Sequence, residues 1–335
     1  MIKILVHNEI DRKEWSALIQ ASATGTWFQT LKAYEFFASM PELFRPFALG
    51  LENEGKLRGV CVGFVTREQS RWKQHFMRRA IILGGPCLAD DVSSKEVEFL
   101  MNRVKELMDE RVKDSPIYIE TRNFNDYSKW KGAFEKAGFE YKKHLNFHVD
   151  CEDEEAMWER LSENRKRQIK KAYGVPVMGD GLREEDIREW YGILVKLYRT
   201  KVKRPLWPQE FFLEAYRQGV GKFLLVKHDG KVIGGSMVVT NGKCMYEWFE
   251  CGMNAEYKEQ YPSVLATWGG MQLAHEMGCK RYDMMGAGEP SVPYGVRDFK
   301  SEFGGTMVEH GRFLCVSKPL LYKIGKLGVN MLKML

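Results

Sequence analysis

No two cysteines lie close together in this chain. The seven (Cys61, Cys87, Cys151, Cys244, Cys251, Cys279, Cys315) are odd in number and scattered, without a CxxC pair. That argues against a disulfide framework and against a zinc site. Several fall in apolar, strand-like runs where a thiol acts as a small hydrophobe, so a reducing cytoplasm is the expected location. No stretch approaches the roughly 20 uninterrupted apolar residues of a membrane span. The apolar run in MIKILVHNEIDRKEW is too short for the core of a secretory signal. Low-complexity tracts are absent, which excludes long disorder. The histidines never sit four apart on a helix, and there is no GxSxG elbow, so hydrolase and metal chemistry are disfavoured and no metal ligands are expected. What remains is a folded chain of 335 residues, 44% apolar and 13% aromatic, enough for two cores. Its net charge of +6 permits an anionic partner without requiring one.

The two halves resemble each other. ENEGKLRGVCVGFVT, from residue 52, aligns with KHDGKVIGGSMVVT, from residue 227, through Gly55/Gly230, Lys56/Lys231 and Gly59/Gly234. Both read as hairpins with an acidic-Gly turn. A third strand follows each (Ala80 to Leu83; Cys244 to Cys251), then a helix beginning at Ser94 or Ser263, both plausible N-caps. Next come a strand (Ile117 to Thr121; Arg281 to Met284), a short helix ending in glycine, and a last hairpin. These hairpins are FEKAGFEYKKHLNFHV and FKSEFGGTMVEHGRFLCV, with Gly138/Gly304, His144/His310 and Phe147/Phe313 at constant offset. The expected fold is α/β with mixed (α+β) sheets and helices on both faces, since hairpins outnumber crossovers. Two domains are expected, 1–150 and 151–335. A charged helix over 152–173 marks the border, and a last helix spans 320–335.

Four residue groups carry a family resemblance. They are Trp158-x-x-Leu161 with Asn164-Arg165-x-x-x-Ile169-x-Lys171-Ala172, the run from Tyr261-Pro262-Ser263 to Trp268, the strand Gly278-x-x-x-Tyr282-Asp283, and YGVRDFKSEFGG from Tyr294 to Gly305. The last is the most specific. With the element order, they make the chain resemble the FemABX aminoacyltransferases, tandem GNAT-fold enzymes that add amino acids to peptidoglycan precursors. The resemblance implies two GNAT-like domains, the first degenerate, with Glu135 or Phe134 where the second has Lys300. It implies an acyl or aminoacyl transferase acting on an amine of a cell-envelope glycan or peptide precursor, phosphorylated or lipid-linked. There is no room between Tyr198 and Lys222 for the helical arm of some Fem enzymes. Coenzyme-A-using GNAT domains hold the pyrophosphate on a glycine-rich loop before a helix. Here that segment is NAEYKEQYPSVLATW in the second half and the acidic GGPCLADDVSSKE in the first. Neither is such a loop, which favours aminoacyl-tRNA over acyl-CoA as the donor. A CoA-dependent N-acetyltransferase and a non-catalytic protein binding RNA or a phosphorylated ligand stay open as alternatives.

Amide formation on an amine needs a base, a positive charge for the oxyanion, and a site that positions both reactants. By resemblance Lys300 is the cation, flanked by Phe299 and Phe303. Asp283, ending an apolar strand beside a glycine-rich turn, is a candidate base or amine-recognition group, with turn capping as the alternative. Tyr294 joins them as a candidate catalytic phenol, and Tyr261 and Phe299 as candidate substrate contacts, with packing as the plainer role. In the charged helix, Arg160, Arg167 and Lys171 fall on one face, with Arg165 nearby. Arg199, Lys203 and Arg204 form a second cluster, which by resemblance lines the acceptor groove. Either cluster suits a phosphate; a solvated helix face is the alternative. In the tail, Leu320, Ile324, Leu327 and Met331 form a stripe among lysines, suited to peripheral membrane contact or to packing on the first domain.

Overall fold

The computed structural model describes residues 1–67, 78–110 and 115–334, with side chains up to residue 326 in the last helix. The chain divides into two compact units, 1–144 with 310–335, and 145–309.

The first unit holds β1 (Ile2–Val6), β2 (Phe44–Asn53), β3 (Lys56–Thr66), β4 (Ala80–Gly84), β5 (Cys87–Leu88), β6 (Tyr118–Asn123) and β7 (Glu140–Lys142). The second holds β8 (Leu145–Asp150), β9 (Val177–Met178), β10 (Lys222–His228), β11 (Lys231–Thr240), β12 (Cys244–Gly252), β13 (Arg281–Asp283) and β14 (Thr306–Glu309). The last strand, β15 (Arg312–Val316), returns to the first unit. The first sheet runs β1-β2-β3-β4-β6-β15-β7, with β5 also on β3, and the second β14-β8-β13-β12-β11-β10-β9. Both are mixed: β4 is parallel to β6 and β12 to β13, the other pairs being antiparallel.

The two expected acidic-Gly hairpins are present. Glu54 and Gly55 take φ of 52° and 75°, Asp229 and Gly230 50° and 75°, the left-handed pair that matches strand twist in a two-residue turn. The expected last hairpins are not present. β7 pairs with β15 rather than β8, and β14 pairs with β8 rather than β15. The two halves therefore exchange their final strands. Alternation says which face of a strand is apolar but not which neighbour it takes, and Leu145, Phe147 and Val149 read much like Phe313 and Cys315.

This exchange moves the border expected at residue 150 to 144/145 and sends the tail back to the first unit. The charged stretch over 152–173 lies wholly inside the second unit and is two helices, Glu154–Arg160 and Glu163–Lys171. Ser162 starts the second by accepting from Arg165 N at 3.2 Å, an N-cap that halts one helix and begins the next. The expected continuous stripe through Arg160, Arg167 and Lys171 is therefore broken.

In the second unit, alternation places helices on both faces. On one side Val238 and Met245 meet Trp268 and Met271 of the helix Pro262–Glu276. On the other, Phe223 and Phe249 meet Trp190 and Phe212, from Glu184–Leu197 and Gln209–Arg217. In the first unit the helix Ser94–Asp109 starts from a capping box, with Ser93 rather than Ser94 as N-cap. Its Oγ accepts from Glu96 N while Glu96 accepts from Ser93 N at 2.8 Å. The tail forms a helix, Pro319–Met334, whose Tyr322 meets Tyr118 edge-on at 5.4 Å. Leu320 and Ile324 stay exposed, while the expected partners Leu327 and Met331 have side chains outside the described residues. Among the described residues, no helix is long and apolar enough to cross a membrane.

Candidate active site

A parallel pair that parts opens a gap at its carboxyl ends, where α/β sheets bind ligands. β12 pairs with β13 only from Cys244/Arg281 to Tyr246/Asp283, then runs on to Gly252 paired with β11 alone. In the first unit the counterpart pair, β4 and β6, stays joined from Ala80/Ile119 to Gly84/Asn123. The gap belongs to the second unit.

Two carboxylates line it. Glu247 and Glu250 are three apart, an odd spacing that would put them on opposite faces of a regular strand. A bulge between them changes that, because Glu247 lies opposite Val238 and Glu250 opposite Ser236, with Trp248 the extra residue. Ser236 and Val238 share a face, so both glutamates point toward the helix Pro262–Glu276. Thr267 Oγ1 and Tyr282 Oη donate to Glu247 Oε1 at 3.0 and 2.9 Å. Gly270 makes room for that phenol, since a Cβ there would lie 2.4 Å from Tyr282 Oη. Glu250 Oε1 and Ser236 Oγ, facing each other across the ladder, are buried without a hydrogen-bond partner among the described residues. Unpaired buried polar atoms are rare, and a pair beside a gap suits a ligand.

Lys300, in the last turn of the helix Gly295–Ser301, is 8% exposed. Its ammonium donates to Met284 O, and to Gly286 O at 3.0 Å. That uses two of an ammonium's three N–H donors. Burial pulls the Lys300 pKa below that of an ordinary lysine, against the opposing charges of Glu247, Asp283 and Glu250. Burial raises Glu247, partly offset by Lys300 and its two hydroxyl donors. Glu250 is pushed up to about 8, by burial and then by the charge of Glu247. The arrangement holds one cation and two carboxyls of unequal acidity, a pattern of acid–base sites.

Asp283 is fully buried and already engaged. Oδ1 accepts from Asn146 Nδ2 at 2.7 Å and Met285 N at 2.8 Å, and Oδ2 lies 3.2 Å from His148 Nε2. Burial would raise its pKa, but His148, Arg281 and Asn146 outweigh that and hold it below the usual carboxylate range. Such a group is a poor proton acceptor; its turn-capping role is the one the geometry supports.

Of the other expected residues, Phe299 packs on Phe303 at 5.1 Å and lies under the Arg165 guanidinium at 4.5 Å. Arg165 is buried, 3.5 Å from Glu302 and donating to Gln168 at 2.6 Å. It braces the Lys300 helix rather than facing solvent as a phosphate contact would. Arg165→Lys loses the stacked plane and should lower stability by about 1–2 kcal/mol, read from the thermal midpoint. Tyr294 precedes the Lys300 helix, 37% exposed, with its ring against Gly288. Tyr261 caps the helix Pro262–Glu276 in a left-handed conformation, φ 45°, with its ring against the core. Lys171 pairs with Glu259, and Arg167 donates to Asn164 at 2.9 Å. Arg199 and Arg204 are exposed around the π-helical turn Tyr198–Val202, and Lys203 is left-handed at φ 49°. The structure thus gathers Lys300 and Asp283 around one turn, with Phe299 and Arg165 behind them.

Glu247 and Glu250 escaped the sequence reading. Their signal was two acids inside the apolar strand CMYEWFECG, but only the bulge shows that they share a face.

The helix start after β12 is closed to phosphate. Pro262 has no N–H, and Ser263 N is taken by Asn254 Oδ1 at 3.2 Å. Ser263 therefore is not the expected N-cap; Tyr261 is, because proline suits the first helical position. In the first unit Glu96 occupies the corresponding helix start. At both helix starts the named backbone N–H groups are taken by side chains of the chain itself. Phe134, where the first unit lacks the lysine, is buried and stacked on Phe313 at 4.0 Å, and Glu135 is exposed. Among the described residues, no group of three or more His, Cys, Asp or Glu is placed to hold a metal ion.

Residues 159–301 match the family of acetyltransferase (GNAT) domains. The structure of FemX is similar with a TM-score of 0.71 at 13% identity, covering 96% of this chain and 99% of that one. A tandem GNAT protein from the clavulanic acid biosynthesis pathway gives 0.57 at 12%, covering 94% and 98%. L-PGS from Bacillus licheniformis gives 0.54 at 12%, covering 97% of each. No curated protein sequence matches the chain. At such identities the structural likeness is one of fold, and the fold is the tandem GNAT fold. Residues 159–301 thus carry the match to the acetyltransferase (GNAT) domain family, within a chain that has the tandem GNAT fold.

Proposed function

We propose that the protein transfers an aminoacyl group from aminoacyl-tRNA to an amine of a peptidoglycan or related cell-envelope precursor, at the gap between β12 and β13. The observation that carries this reading is the buried Lys300 ammonium, two donors fixed on backbone carbonyls and the third left for a reactant, within the field of Glu247 and Glu250. The acceptor amine attacks the ester carbonyl, and a C–N bond forms. The Lys300 N–H meets the oxyanion. Glu250, ionised near the upper end of the neutral range, takes the proton that the amine must lose. The C–O bond to the ribose then breaks, and the departing oxygen takes that proton from Glu250, leaving a neutral amide, a free hydroxyl and the carboxylate restored. Glu247 keeps its proton donors in Thr267 and Tyr282 and holds Glu250 basic through its charge.

The cap at Asn254 and Pro262 favours a donor other than coenzyme A. Titrating acetyl-CoA by calorimetry should therefore give no heat at concentrations up to roughly 1 mM, the weak end of specific binding. Saturable micromolar binding would overturn this choice of donor. The direct test incubates the protein with a charged transfer-RNA pool and a UDP-linked muramyl peptide, followed by mass spectrometry. A product one aminoacyl residue heavier, absent with Lys300→Met, supports the reading. An unchanged precursor pool removes it.

A further inference from the structure

Lys300 is only as well placed as the two carbonyls that hold it, and those belong to an unusual turn. Between β13 and the Lys300 helix the chain reads Met284-Met285-Gly286-Ala287-Gly288. Met285 is left-handed at φ 51°, followed by Gly286 at 92° and Gly288 at 78°. Glycine adopts such angles freely, but a methionine there must be held by its surroundings. The hold is visible. Asp283 Oδ1 accepts from Met285 N at 2.8 Å, and Asn146 Oδ1 accepts from Gly286 N at 2.9 Å. The two side chains are joined by the bond from Asn146 Nδ2 to Asp283 Oδ1 at 2.7 Å, and His148 closes the other side of Asp283 at 3.2 Å. Backbone bonds to β8 flank the turn, Met284 N to Phe147 O at 3.0 Å and Ala287 N to Leu145 O at 2.7 Å. The carbonyls of Met284 and Gly286, on either side of Met285, then converge on the ammonium.

We infer that Asn146 and Asp283 are positioning residues for Lys300, acting through the left-handed Met285 turn and not through the reactants. This rests on the reading of Lys300 given above. The two residues arrive from strands far apart in sequence, so the device exists only because β8 lies beside β13. Both are buried within the unit, Asp283 completely.

The test needs no substrate. Trace acetic anhydride labelling of the full chain, quantified at Lys300 by mass spectrometry across a pH series, reads how firmly the ammonium is held. Asn146→Ala and Asp283→Asn should each raise Lys300 labelling about tenfold at neutral pH, as loss of a charge-assisted hydrogen bond implies. Adding Met285→Gly should return it toward the parent value, because glycine takes the turn without a clamp. Where a transfer assay runs, the single variants should lose kcat with little change in KM, and the glycine should restore it. Parental labelling in both single variants, or a rise that Met285→Gly does not reverse, overturns the inference. Should Asn146→Ala fail to fold, as judged by its melt, Asp283→Asn alone decides it in the same way. Full transfer activity in Lys300→Met would instead sink the catalytic reading and leave the labelling result standing.

Discussion

Lys300→Met lowers the rate of transfer by roughly 10²–10³, the loss seen when one preorganised oxyanion donor is removed. Methionine is chosen because it keeps the chain length and packing between Phe299 and Phe303 while deleting the charge. The loss should fall on kcat, since the N–H offered by Lys300 meets charge that exists only in the transition state. The variant should be at least as stable as the parent. Burial lowers the Lys300 pKa in the folded protein, so the unfolded chain binds more protons between that value and about 10.4. Stability therefore rises with pH across that window in the parent and loses that slope in Lys300→Met. Parental kcat in the variant would show that the ammonium is structural.

Glu250→Gln should remove a proton acceptor and cost about 10²–10⁴ in kcat/KM. The parent's kcat/KM should climb with pH and level off near 8, where Glu250 becomes ionised, and the glutamine variant should lack that limb. A second readout is independent of substrate. The unfolded carboxyl gives up its proton near 4.5, whereas the folded one keeps it to about 8. Between these values the folded state binds more protons, so it loses stability as pH rises. The thermal midpoint of Glu250→Gln should thus exceed the parent's above about pH 8 and match it at about pH 4, below the window set by the two pKa values. Equal midpoints throughout would mean that Glu250 is solvated in both states. Glu247→Gln should lower the kinetic pKa, because the charge that raises Glu250 is gone.

The residues that sequence reading placed best are those whose role depends on local order. YGVRDFKSEFGG put Lys300 on a short helix between two phenylalanines, and the helix is there. The hairpin turns followed from an acidic residue before glycine, because only a few side chains tolerate the left-handed pair. By its neighbours in the chain, Arg165 reads as a charge for a ligand. Nothing in its neighbours within the chain says that Phe299, over a hundred residues away, will offer its ring. As a strand-end carboxylate Asp283 suits both a base and a turn cap, and only Asn146 and His148, which engage its oxygens in the fold, decide between them.

The amino-acid sequence alone determined the repeat of element types, the two acidic-Gly hairpins and the phenylalanine-flanked lysine, since these follow from side-chain periodicity and from the φ angles that residues permit. Which strand completes each sheet, that a bulge at Trp248 turns Glu247 and Glu250 to one side, and that Asn146 clamps a turn near residue 285 were decided only by the tertiary structure. Those outcomes depend on pairing between distant segments, and apolar alternation is equally satisfied by more than one partner.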